Sequence, residues 1–293
     1  MTPSSIVLDS VRARIIVDSS SNVPAALLAQ YKMLEVPTLV NFGVESFRNN
    51  IDLTAEEFYV RLAQSQALPT TSQPPPTFFA EAYRRAFAEG AEHIIVVTVS
   101  AKFSGTFTSA QTAAQEFGVE RFTLWDSDSA TMGSGWQAIA AARLLEATID
   151  LPTLIEHLEK IRTDTIGYAT LETLKYVARS GRVSNLQAGI GDLLQVKPVM
   201  ELLYGKFTPV GRVRGKKRAL REVVERLYAK MGDRPINVAV AHANALEEAQ
   251  LLAQDAGTLL KIHELHIVDI GPVIATLTGP GALALCSYPA DLF

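Results

Sequence analysis

His93-Ile94-Ile95-Val96-Val97-Thr98-Val99, with Ser104-Gly105-Thr106 just beyond it, is the stretch on which the fold turns. Its β-branched side chains favour an extended strand over a helix. Ser104-Gly105-Thr106 then opens a helix of small residues through Phe107, Ala110, Ala113, Ala114 and Phe117. The same alternation recurs on either side. Arg14-Ile15-Ile16-Val17 ends in the polar turn Asp18-Ser19-Ser20-Ser21-Asn22, with Pro24 where a helix can begin. Phe122-Thr123-Leu124-Trp125 runs into Asp126-Ser127-Asp128-Ser129 and an alanine-rich helix to about Glu146. This alternation predicts βαβ units and a largely parallel, Rossmann-like doubly wound α/β sheet. Each strand delivers Ser, Thr, Asp or Gly at its carboxyl end, where open sheets of this type bind ligands.

An insertion at 52–90 separates the first strand from the strongest one. Thr54 and Glu57 form a capping-box pattern that opens a helix to about Ala63. The run Pro69-Thr70-Thr71-Ser72-Gln73-Pro74-Pro75-Pro76 predicts an extended loop, and a second helix follows through Phe79, Tyr83 and Phe87. After about residue 163 the pattern changes to a short strand at 165–169, a helix at Leu171–Ala178 and two antiparallel strands turning at Tyr204-Gly205-Lys206. A basic helix from Lys216 to Met231, the strand Ile236–Ala241, a helix at Ala245–Ala256 and a pair of strands flanking Gly271–Gly281 complete it. The expected organisation is a doubly wound domain at 12–163 and a second α/β (α+β) domain at 164–293.

The chain has 293 residues, 48% of them hydrophobic, enough to bury a substantial core. Its 27 Lys plus Arg against 31 Asp plus Glu leave a net charge of −4, so no global basic field favours nucleic acid or an anionic membrane. One cysteine, Cys286, excludes an intrachain disulfide and any Cys-rich zinc site. The opening residues carry no cationic leader followed by an apolar core, and no apolar run approaches membrane-spanning length. A soluble, cytoplasmic protein without stable membrane insertion is expected.

Standard catalytic motifs are mostly missing. There is no G-x-S-x-G elbow, and Gly211-Arg212-Val213-Arg214-Gly215-Lys216 has the wrong spacing for a P-loop. His263 and His266 lie in a strand pattern that turns them to opposite faces, so they do not chelate one ion, and no metal is expected. What remains is Thr71 and Ser72 on a proline-stiffened loop and Ser104-Gly105-Thr106 at a helix start, whose free N–H groups attract a carboxylate or phosphate. Spacing alone leaves a plainer alternative open, with Ser104 a simple N-cap and Thr71-Ser72 an ordinary turn.

Seven motifs in order carry a resemblance: Val17-Asp18-Ser19, Thr71-Ser72-Gln73-Pro74, Ser104-Gly105-Thr106-Phe107 with Ser109-Ala110, Asp126-Ser127, Ser180-Gly181-Arg182-Val183-Ser184, Lys197-Pro198 and Gly279-Pro280-Gly281. Together they make the chain similar to the DegV family from about residue 14 to 287. That family comprises bacterial fatty-acid carriers, including the binding subunits of fatty acid kinase. The resemblance implies a lipid tunnel between two domains, and a long-chain fatty acid as ligand without a further cofactor. It also implies a separate kinase subunit as partner and no catalytic residue in the carrier itself. By position, Thr71, Ser72, Ser104, Gly105, Thr106 and Arg182 match the head-group region. Where the family usually has His-Thr-Gly-Pro-Gly, this chain has Leu277-Thr278-Gly279-Pro280-Gly281, so an imidazole is lost unless another residue such as His242 supplies it.

Expected tunnel walls are Phe78, Phe79, Phe87, Phe103, Phe107 and the run Ala188-Gly189-Ile190-Gly191. The basic stretch Arg212, Arg214, Lys216, Lys217, Arg218 and Arg221 reads as a solvated face or a docking patch for the kinase. Two other functions compete: a hydrolase or transferase with Ser104 as nucleophile, which needs an adjacent base, and a lipid-responsive regulatory sensor.

Overall fold

Two sheets organise the chain in a computed structural model that describes residues 6–183 and 196–292. A short strand β1 (Val7–Leu8) precedes β2 (Ala13–Asp18), which is buried along its whole length. After a turn at Ser19–Ser21 come α1 (Ala25–Gln30) and β3 (Leu34–Val36). The excursion follows: β4 (Leu39–Phe42), β5 (Glu45–Arg48), α2 (Ala55–Gln64), β6 (Thr70–Ser72) and α3 (Pro76–Ala88). The chain then returns through β7 (His93–Thr98), α4 (Thr106–Ala114), β8 (Phe122–Asp126) and α5 (Met132–Leu144). Strands β3-β2-β7-β8 make one sheet with every pair parallel. The order reverses between β2 and β7, which places a crevice beyond their carboxyl ends.

The Pro69–Pro76 run departs from the expected loop. Thr70–Ser72 pairs with β4 at the edge of a small three-stranded sheet, where no inner ladder needs a proline N–H. Pro75 and Pro76 then cap and open α3, since the first turn of a helix leaves its N–H groups unused. The capping box of Thr54 and Glu57 is formed as expected.

Strand β9 (Ile149–Asp150) returns to pair with β1, and α6 (Leu151–Asp164) leads to the second sheet. Its elements are β10 (Ile166–Thr170), α7 (Lys175–Ser180), β11 (Val196–Leu203), β12 (Lys206–Arg214) and α8 (Lys216–Met231). There follow β13 (Ile236–His242), α9 (Leu246–Leu259), β14 (Ile262–Asp269), α10 (Gly271–Thr278) and β15 (Leu283–Pro289). The strand order is β12-β11-β10-β15-β13-β14, parallel only at β13–β14. Helix α7 starts four residues later than the pattern at Leu171 suggests. Leu171 is buried among the apolar side chains after β10, and the Thr173 hydroxyl accepts the Lys175 N–H at the true helix start.

Helices α8 and α9 cover one face of this second sheet, packing Val223, Val224, Leu227 and Leu252 on Ile166, Val199, Val238, Val240 and Leu285. The opposite face turns toward α5 of the first unit. There Trp136 donates from its indole nitrogen to the Cys286 carbonyl (3.2 Å), and Arg143 pairs with Glu264 (2.8 Å). The architecture is therefore the expected one: a Rossmann-like doubly wound unit and a second α/β sheet unit. An apolar cavity lies between them.

Candidate functional site

At the switch point Asp18 is wholly buried and ties two strand ends together. One carboxylate oxygen accepts the Val99 N–H (2.7 Å), the other the Ser20 N–H (3.0 Å) and the Ser20 hydroxyl. Burial raises its pKa, and the three donors work against that shift. Beside it, the Ser19 hydroxyl meets Thr38 Oγ1 (2.7 Å) and accepts from the Thr38 N–H and from Asn49 Nδ2 (both 3.0 Å). Asn49 Oδ1 in turn accepts the Val273 N–H (3.3 Å), so this network fastens the first turn of α10 to the end of β2.

Above it opens a polar cleft of about 490 Å³. Its polar side chains come from Ser20, Thr38, Thr71, Ser72, Gln73, Lys102, Ser104 and Arg182, with Gly105 contributing backbone. Helix α4 begins at the cleft with Gly105 as N-cap and no side-chain cap, which leaves first-turn N–H groups and the positive end of the helix dipole unshared. Ser104 is therefore not the capping residue; its hydroxyl pairs with Thr106 Oγ1 at 2.8 Å. Arg182 crosses the cleft, donating to the Phe103 carbonyl (3.3 Å) and to the Ser180 carbonyl. Lys102 donates to Asp128 and to the Tyr204 carbonyl, both at 2.8 Å. That contact docks the β11–β12 turn on the first unit. Gly205 there has φ +65°, and a Cβ would approach Ser100 Oγ to 2.5 Å.

The cleft adjoins an apolar cavity of about 120 Å³. Val99, Phe103, Arg182, Ile274 and Leu277 line both spaces. Deeper walls are Leu171, Val177, Leu202 and Phe207, over a floor of Gly167, Ala169, Ala241, Ala284 and Cys286. Burial pushes the Cys286 thiol up to about 12, so it stays neutral and inert.

The structure thus brings Thr71, Ser72, Ser104, Gly105 and Arg182 to one cleft. Thr106 stands behind Ser104, fully buried, and is not on the cleft surface. Ser20, Thr38, Gln73 and Lys102 join them. Ser20 belongs to the polar turn after Val17 and Gln73 to the Thr71-Ser72-Gln73-Pro74 motif, whereas no local pattern marks Thr38 or Lys102. Among the expected walls that lie in the described residues, only Phe103 lines the cavity. Phe79 and Phe87 belong to an aromatic cluster with Tyr83, Phe117 and Phe122 between α3, α4 and the first sheet. Phe78 faces a separate surface cleft, Phe107 lines neither space, and 188–191 lie outside the described residues.

Leu277 sits where cleft and cavity meet. His242 does not replace the missing imidazole, since it lines neither space; its Nδ1 lies 3.5 Å from Asp269, and burial lowers its pKa. Among the described residues no base hydrogen-bonds to Ser104, whose hydroxyl partner is Thr106, so the nucleophile reading finds no activating group. His263 is exposed while His266 packs against Trp136 with tilted rings, on opposite sides of β14. Among the described residues no group of three or more His, Cys, Asp or Glu is placed to hold a metal. No helix among them is long and apolar enough to cross a membrane.

Residues 12–290 match the model of a family described as "Uncharacterised protein, DegV family". A DegV domain-containing protein of Halalkalibacterium halodurans is 31% identical over 276 residues, covering 94% of this chain and 97% of the relative. Protein DegV of Bacillus subtilis is 30% identical, covering 93% and 97%. Among solved structures, a DegV family protein of Thermus thermophilus, described for its fatty acid binding, superposes with a TM-score of 0.88. It has 34% identity and covers 95% of this chain and 99% of that one. The crystal structure of DegV from Bacillus subtilis, described as a fatty acid binding protein, gives 0.82 at 28% identity, with 95% and 99% covered.

Proposed function

Because the chain belongs to the DegV family, we propose that it carries a long-chain fatty acid, with the carboxylate in the polar cleft and the acyl chain in the apolar cavity. The observation that carries this reading is the wall that the two spaces share, formed by Val99, Phe103, Arg182, Ile274 and Leu277. Palmitic acid buries about 15 methylene or methyl groups, worth at most roughly 12 kcal/mol at ~0.8 each, before losses for ordering. The hydroxyls of Thr71 and Ser104, the open start of α4 and the nearby Lys102 and Arg182 offset desolvation of the carboxylate. Thr71→Ala and Ser104→Ala should each weaken binding by about 1 to 3 kcal/mol, as a buried acceptor loses its donor. Unchanged affinity in the double variant, measured by titration of lipid-free protein, contradicts this head-group assignment.

The carrier works in the cytoplasm and presents its bound acid to a separate kinase subunit, without a catalytic residue of its own. The units 12–163 and 164–293 form the two sides of the carrier. For the kinase-facing surface, exposed Arg212, Arg214, Lys217 and Arg218 are the relevant cations, because Lys216 is occupied by Glu172 and Glu248. Reversing Lys217 and Arg218 to Glu should slow kinase association while leaving lipid binding intact; equal rates across a salt series contradict docking there. Leu277→His should raise phosphorylation of the bound acid by about tenfold with little change in lipid affinity, since a restored cation acts mainly on transition-state charge. Equal single-turnover rates for the two proteins show that this chain needs no imidazole.

A further inference from the structure

The floor of the cavity contains a glycine that the backbone does not require. Gly167 is the second residue of β10, a strand paired on both sides inside the six-stranded sheet, and unlike Gly205, Gly279 and Gly281 it has no left-handed φ. A glycine in a strand interior loses packing and conformational entropy, and it often marks a place where a ligand approaches closely. Packing explains it only in part. A Cβ built at 167 would lie 3.3 Å from Leu202 Cβ, a tight contact that requires Leu202 to give by a few tenths of an ångström, and at an ordinary 3.5 Å from both Cys286 Sγ and the Leu285 carbonyl.

The row across the sheet at this point is Leu202, Gly167 and Cys286, paired strand to strand, and all three line the cavity. Helix α10, which supplies Ile274 and Leu277 to the junction with the cleft, leads into β15 near Leu283. Cys286 is three residues further on, about 10 Å away at the strand rise. The Gly167 row therefore lies toward the opposite end of the strands from the α10 corner.

We infer that Gly167 sets the acyl-chain length that the cavity accepts: the missing side chain, between Leu202 and Cys286, is the space taken by the methyl end of the ligand. The inference rests on the fatty-acid reading above and adds the residue that determines its length selectivity.

The test strips lipid from wild type, Gly167→Val, Gly167→Ala and Cys286→Ala and titrates each with decanoic, myristic and stearic acids. Gly167→Val should weaken stearic relative to decanoic acid by about tenfold, as about two methylenes lose their burial, and Gly167→Ala by about threefold. Cys286→Ala, which enlarges the same row, should shift the ratio toward stearic acid. If Gly167→Val does not fold, Gly167→Ala and Cys286→Ala carry the test by moving the ratio in opposite directions. A ratio that stays at the wild-type value in both, or affinities that fall equally for all three acids, overturns the inference. Failure of wild type to bind any of the acids removes the fatty-acid reading itself and this inference with it, a result distinct from a flat length profile.

Discussion

The two faces of the six-stranded sheet are built from the same strands to opposite ends. Toward α8 and α9, Ile166, Tyr168, Val238, Val240, Leu283 and Leu285 fill the space. Toward the first unit the alternate positions are Gly167, Ala169, Ala239, Ala241, Ala284 and Cys286, and part of that side is hollow. Successive side chains of a strand point to opposite faces, so a strict alternation of large and small residues yields one packed face and one carved face. The packed face holds the sheet together, while the carved face leaves apolar surface for a ligand to cover.

The largest expected difference between the faces is in stability. Leu285→Ala on the packed face should lower unfolding stability by about 2 to 5 kcal/mol, because the helices above cannot collapse into the gap. Ala284→Val, its neighbour on the carved face, should cost less than about 1 kcal/mol, since its extra methyl groups enter open space. Urea unfolding of both variants checks this, and equal losses would abolish the distinction.

A smaller effect is expected at the hairpin that walls the carved face. Gly205→Ala forces a side chain into a left-handed turn residue and against Ser100 and Lys102, so it should cost about 1 to 2 kcal/mol and speed lipid exchange. Stopped-flow exchange of a fluorescent acid reads the second effect; an unchanged rate would show that the β11–β12 turn does not hold the wall.

The smallest effect is chemical. With its pKa raised from the usual thiol value to about 12, Cys286 in the folded protein should resist alkylation at pH 8 and gain reactivity only well above pH 9. The sign for stability follows from the raised value. An unfolded thiol ionises near pH 9 and the folded one near 12, so this group's contribution to stability declines as pH rises through that window. Mass-spectrometric counting of alkylated protein checks the first statement; rapid labelling at pH 8 would mean that the carved face is open to water.

Much of this was legible in the chain. His93–Val99 and its flanking units specify the parallel sheet, and Thr71 on its proline-stiffened run with Ser104 at a helix start point to the cleft, whereas Arg182 follows only from the family resemblance. Of the phenylalanines expected as cavity walls, Phe103 lines the cavity, while Phe79 and Phe87 fill the core under α3 and α4, where large flat rings bury most area. The true signal was written in Val238-Ala239-Val240-Ala241 and Leu283-Ala284-Leu285-Cys286. Local sequence does not reveal it, because a hollow is marked by small residues facing one way and the direction emerges only once the strands are paired. Lys102 and Thr38 reach the cleft through long-range packing that local spacing does not encode.

In the proposed carrier, cleft and cavity together hold one acyl chain by its carboxylate end. Native mass spectrometry of the purified protein, followed by lipid extraction, tests it most directly. The predicted result is one long-chain fatty acid per chain, lost on delipidation and restored with a higher unfolding temperature when the acid is returned. Protein that carries no lipid and gains no stability from added fatty acid would contradict it.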